Sequence, residues 1–105
     1  MILNFRSRVL QRFWRGDVRR IQPPAVAQRT GDILAALDAA TRLSDVETLT
    51  GFHRLSGNRA HEYAVLVTRN WRITFTPIVE PATDPATGRM EEVFHVRDVD
   101  YEDYH

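Results

Sequence analysis

Four histidines, fourteen arginines and no lysine or cysteine define the chemistry open to this 105-residue chain. Without cysteine, disulfides and thiolate metal centres are excluded. The histidines stand at 53, 61, 95 and 105, and no two share the close spacing of a metal-ligand pair. His61 and Glu62 are adjacent, with no second histidine one helical turn away. There is no glycine-rich phosphate loop and no serine in an elbow motif. No metal or cofactor is expected. What remains suits cleavage of RNA without a metal. That reaction takes a proton from a ribose 2′-hydroxyl, stabilises a phosphorane and returns a proton to the leaving 5′-oxygen. It needs a general base, a guanidinium and a general acid. Histidine is the side chain that titrates near neutrality, so His53 and His105 are candidates for proton transfer. Tyr104 is a candidate acid, base or orienting group, Arg72 the candidate guanidinium, and Arg54 and Arg59 candidate phosphate contacts. Taken singly each has a plain reading: Arg72 a solvated sheet residue, His53 a surface histidine, His105 a frayed terminus.

The elements that must position these residues form one domain, residues 1–105. "ILNF" at 2–5 reads as a short strand. "SRVLQRFWR" at 7–15 reads as a helix with Ser7 as N-cap and Val9, Leu10, Phe13 and Trp14 on one face. Pro23 and Pro24 open a second helix, whose stripe of Val26, Ile33, Leu34 and Leu37 runs to about Thr41; Gly31 weakens it. After residue 52 the period changes from helical to alternating. "HRL" at 53–55 is a strand, "SGNR" at 56–59 a turn, and "YAVLV" at 63–67 a strand. A tight hairpin leads to "NWRITF" at 70–75, with Trp71, Ile73 and Phe75 on one face and Arg72 and Thr74 on the other. Arg72 thus points away from the core. Residues 77–92, with three prolines and a glycine, read as a long hairpin loop. A final strand sets Val93, His95, Arg97, Val99 and Tyr101 against Phe94, Val96, Asp98 and Asp100, and runs into the closing "DVDYEDYH". Helices followed by strands predict an α+β fold, two N-terminal helices packed on an antiparallel sheet.

The charge sums to zero but is segregated. Residues 1–32 hold seven Arg and two Asp, whereas residues 80–105 hold two Arg and eight acids. Arg8, Arg12 and Arg15 fall on the polar face of the first helix, by itself an ordinary solvated face, and with Arg19 and Arg20 they are candidate contacts to RNA. No apolar run is long enough to span a membrane, and arginines interrupt the N-terminal apolar residues where a signal peptide needs an unbroken run. A cytoplasmic location is the expectation.

"MILNFRS", "ILAALDAAT", "FHRLSGNR", "NWRITF" and the closing "DVDYEDYH", in that order, resemble the HigB toxins, the plasmid maintenance killer branch of the RelE-like superfamily. The resemblance implies a small RelE-like fold and a ribosome-dependent endoribonuclease that cuts mRNA in the A site by metal-independent attack of the 2′-hydroxyl. It also implies a cognate helix-turn-helix antitoxin of the HigA type, the 70S ribosome and mRNA as partners, and a toxin–antitoxin hetero-oligomer. The family's motif residues fall on His53, Arg72, Tyr104 and His105, the last two as the catalytic end of the final strand. This chain departs from the pattern at Ser56, where the family carries a lysine, and at Leu66, where it often carries an arginine. The 77–92 loop is longer than usual and acidic, so it is expected to face away from the mRNA or to serve another contact. The missing lysine keeps a second reading open: a RelE-fold protein that binds antitoxin or ribosome with weak or no cleavage.

Overall fold

Ser7 begins the first helix as its side chain suggests. In the computed structural model, which describes residues 1–103, its Oγ accepts the Leu10 N–H at 3.1 Å, and α1 spans Arg8–Trp14. A helix of two turns buries only a narrow stripe. Leu10 and Phe13 are inside, while Val9 and Trp14, expected on the same face, are 43% and 38% exposed at its margins. The second helix, α2, spans Pro24–Ala39 with Pro23 before its first turn. Its stripe of Ile33, Leu34 and Leu37 is buried. So is Thr30, whose hydroxyl donates to the Val26 carbonyl at 2.8 Å and so is satisfied inside the core.

Four strands follow: β1 at His53–Arg54, β2 at Tyr63–Leu66, β3 at Trp71–Thr83 and β4 at Met90–Asp103. They form one antiparallel sheet in the order β1-β2-β3-β4. Both helices lie on one face, where Leu10, Phe13, Ile33, Leu34 and Leu37 join Val65, Ile73, Phe75, Val96 and Val99 in a single core. Each such side chain taken fully out of water contributes about 1.5–3 kcal/mol. Arg29 of α2 ties the layers further, donating to the Leu66 carbonyl at 2.9 Å.

Three details differ from the sequence reading. First, the hairpin expected over residues 77–92 is present, but most of it is strand rather than loop. β3 runs through Pro77 and Pro81, and β4 starts at Met90, leaving a turn closed by the Asp84 N–H to Arg89 carbonyl and Gly88 N–H to Asp84 carbonyl bonds. Prolines four residues apart share one side of a strand. β2 pairs with β3 only as far as Phe75, so beyond it one edge of β3 asks for no N–H donor, and the ladder to β4 continues. Second, the final strand does not alternate strictly. Phe94 and Val96 are buried, then Val99, because the register slips by one residue between Thr74↔Asp100 and Thr76↔Arg97. Asp98 occupies this bulge at φ +51°, and Asn4 holds it by donating to its carboxylate at 2.9 Å and accepting its N–H at 3.1 Å. Third, residues 2–5 make no continuous strand. They lie parallel to β4 as two isolated bridges, Ile2↔Val96 and Phe5↔Val99, on either side of that bulge.

Candidate active site

The face of the sheet turned away from the helices carries a cleft of about 310 Å³ lined by His53, Arg54, Leu55, Ser56, Arg59 and Arg72. Strand pairing explains why these residues meet. His53 of β1 sits opposite Ala64, Ala64 opposite Thr74, and Arg72 lies one pleat along from Thr74 on the same face. On the other flank Arg72 is opposite Glu102 of β4. Arg59 enters from the short 3₁₀ turn Gly57–Arg59 that joins β1 to β2.

His53 is oriented by its backbone surroundings. Its Nδ1 lies 2.8 Å from the Gly51 carbonyl oxygen, which can only accept. Nδ1 therefore carries the proton, and in the neutral ring Nε2 is the lone-pair nitrogen, the form a general base requires. Gly51 itself has φ +73°, and a Cβ there would meet Leu66 Cγ at 2.5 Å, so no other residue fits without displacement. Arg54 is tied down locally, its Nε donating to the Ala60 carbonyl.

Arg72 and Arg59 stand in a network with two carboxylates that the sequence reading did not single out. Arg72 Nε donates to Glu102 Oε2 at 3.0 Å. Arg59 donates to Glu102 through Nη1 at 3.3 Å and Nη2 at 2.5 Å, and to Glu62 through Nε at 2.8 Å and Nη2 at 3.2 Å. Glu62 is only 4% exposed. The Arg59 hydrogen bonds outweigh its burial and hold its carboxyl below the ordinary range. Burial pushes Glu102 upward, but bonds from Arg59 and Arg72 overcome it and its carboxyl also stays low. Arg59 is held protonated more firmly than a free guanidinium, first by Glu62 and then by Glu102. The network sets two guanidiniums against two carboxylates. The signal for Glu102 was present as the acid two residues from Asp100 on the final strand. Its face was hidden because the bulge at Asp98 inverts the alternation.

The remaining sequence candidates lie elsewhere. Arg8, Arg12, Arg15, Arg19 and Arg20 are exposed on the helical side, and none lines the cleft. Arg20 pairs with Asp17 at 2.9 Å and lines an apolar groove with Val9, Ile21, Pro23, Trp71 and Tyr101. Tyr104 and His105 lie outside the described residues. The turn after β3 begins at Asp84, twelve residues from Arg72 and roughly 40 Å along the strand at ~3.3 Å per residue, and the acids Glu80, Glu91 and Glu92 lie on the strands that flank it. Among the described residues no helix is long and apolar enough to cross a membrane, and no cluster of three or more potential metal ligands occurs.

Residues 3–82 match the family described as RelE-like toxin of type II toxin-antitoxin system HigB. Over 76 residues the chain is 32% identical to Endoribonuclease HigB of Proteus vulgaris, an alignment that covers 71% of this chain and 83% of that protein. The family match includes His53, Arg59 and Arg72 and stops before β4, which supplies Glu102.

Proposed function

The chain belongs to the RelE-like HigB toxins of type II toxin–antitoxin systems, and from that premise we propose that it is an endoribonuclease that cleaves mRNA in the ribosomal A site. Cleavage proceeds by attack of the 2′-hydroxyl on the adjacent phosphate, without a metal. Arg72 stabilises the charge that builds on the phosphorane. His53, held with Nε2 as the lone-pair nitrogen, takes or relays a proton, and Tyr104 and His105 complete the proton transfers. Arg54 offers a further contact to the RNA backbone. The arginines on the helical side (Arg8, Arg12, Arg15, Arg19 and Arg20) engage ribosomal RNA as a surface separate from the cleft, with binding that weakens as salt rises. The cognate antitoxin is a helix-turn-helix protein of the HigA type that forms a hetero-oligomer with the toxin, and the site of action is the cytoplasm.

The observation that carries this reading is the meeting of His53 and Arg72 in one cleft on the open face of the sheet, from segments nineteen positions apart in sequence. A second reading, a binding member of the fold with little or no cleavage, draws on two features of the same cleft. Ser56 stands where the resemblance has a lysine, and Arg72 is engaged with Glu102. One experiment separates them: inducible expression in a bacterial host with growth followed and transcript ends mapped, wild type against Arg72→Ala. Growth arrest with new, translation-dependent mRNA ends, lost in the variant, supports the nuclease. Growth arrest without new ends supports the binding protein.

A further inference from the structure

Arg59 presents a cation to the cleft, but its guanidinium is oriented for a different task. Arginine offers five N–H donors on a planar fork. Here Nε and Nη2 meet Glu62, and Nη1 and Nη2 meet Glu102. Both edges of the fork are turned to carboxylates. The first carboxylate is firmly anchored. The Glu62 N–H donates to the Arg59 carbonyl, its own carbonyl accepts the Leu55 N–H, and its side chain is 6% exposed. The second carboxylate, Glu102, lies directly opposite Arg72 in the β3–β4 register and accepts its Nε. A continuous line of charge-assisted bonds therefore runs from the start of β2, through Glu62, Arg59 and Glu102, to the Arg72 guanidinium.

We propose that Glu62, Arg59 and Glu102 form a positioning relay for Arg72, acting through Glu102. The proposal rests on the reading of Arg72 as the group that stabilises the phosphorane. An arginine on the open face of a strand has a long, rotatable side chain, and a bond at Nε fixes the plane of its guanidinium. Catalysis by a preformed charge depends on that placement, since a misplacement of ~1 Å costs about a hundredfold in rate. The Glu102 carboxylate also offsets part of the Arg72 charge, so its removal does not weaken ground-state attraction for RNA. Arg59 in this arrangement serves the site through Glu102 rather than by contacting phosphate.

The test is single-turnover cleavage of a reporter mRNA on bacterial ribosomes, with the toxin titrated to saturation and rates normalised to the folded fraction from thermal melts. Glu102→Gln preserves shape but removes the charge that holds both guanidiniums. It is expected to lower the saturating rate by about 10–100-fold with half-saturation moved less than about threefold. Arg59→Lys keeps the cation but loses the fork, and is expected to lower the saturating rate in the same direction, with the salt dependence of binding unchanged. Adding Glu102→Gln to Arg72→Ala should cost nothing further, because the relay then has nothing to orient. The proposal is overturned if Glu102→Gln cleaves at the wild-type saturating rate. It is equally overturned if Arg59→Lys keeps full rate while Arg59→Ala raises half-saturation and reduces the slope of log affinity on log salt by about one, the mark of a direct phosphate contact. Arg72→Ala run alongside separates the two levels. Full activity in that variant defeats the assignment of Arg72 itself, whereas an inactive Arg72→Ala beside a fully active Glu102→Gln defeats only the relay.

Discussion

Replacing Arg59 by alanine should destabilise the fold strongly at neutral pH and only mildly in acid. Glu62 is 4% exposed, and Arg59 is the cation that reaches both of its oxygens. Breaking a buried ion pair by removing one partner costs about 3–5 kcal/mol, because the remaining charge is left unpaired away from water. The Arg59 side chain is 34% exposed, so solvent screens part of the interaction. A discounted loss of about 2–3 kcal/mol follows. For a domain of this size that is a fall in Tm of about 10–20 °C. The pH dependence distinguishes this cause from lost packing. In the wild type, Glu62 and Glu102 have folded-state pKa values depressed below 4.5. Their stabilisation is therefore complete above about pH 4.5 and is lost as pH falls through the depressed folded values. In the variant, burial of Glu62 without its guanidinium acts in the opposite direction and raises its carboxyl, so the penalty present at pH 7 disappears on protonation. The gap between the two proteins should thus be largest near pH 7 and shrink toward pH 3.5. Thermal or urea denaturation at a series of pH values measures it. A difference in Tm under about 3 °C at pH 7, or a gap that does not change with pH, would refute the reasoning.

Gly51→Ala should be destabilising by about 2–4 kcal/mol, since φ is +73° and the new methyl meets Leu66 Cγ at 2.5 Å; chemical denaturation reports the loss. If the variant folds, its cleavage activity should also fall, because the Gly51 carbonyl orients His53. Gly31→Ala should do the reverse and stabilise by about 0.5–1 kcal/mol, as its Cβ would lie an ordinary 3.8 Å from the Phe13 ring in a helical position; a higher urea midpoint is the expected result. Leu37→Ala, at a fully buried position, should cost about 2–5 kcal/mol in the same assay, and a loss below about 1 kcal/mol would mean that the core can collapse around it.

Local physics is strongest where one residue's own geometry decides the outcome, and those features were legible in the sequence. Ser7 caps α1 because its hydroxyl reaches the N–H three residues on, and Pro23 and Pro24 mark the start of α2 because proline is preset for a first turn. The buried stripe of α2 and the outward turn of Arg72 from Ile73 and Phe75 follow from the periods of helix and strand. The order of helices before an antiparallel sheet followed from the change of period near residue 52. Pairing between strands is a different matter, because it depends on partners distant in the chain. Pro77 and Pro81 read as loop residues until the structure shows that, among the described residues, β2 pairs with β3 only as far as Phe75 and leaves that edge open. The bulge at Asp98 reverses the facing of every residue after it, and Asn4, ninety-four positions away, holds it in place. That single slip brings Glu102 onto the Arg72 face. The candidate residues His53 and Arg72 were therefore visible as chemical types. The carboxylates that hold the guanidiniums became visible only with strand register, a property of the sheet as a whole rather than of any local stretch.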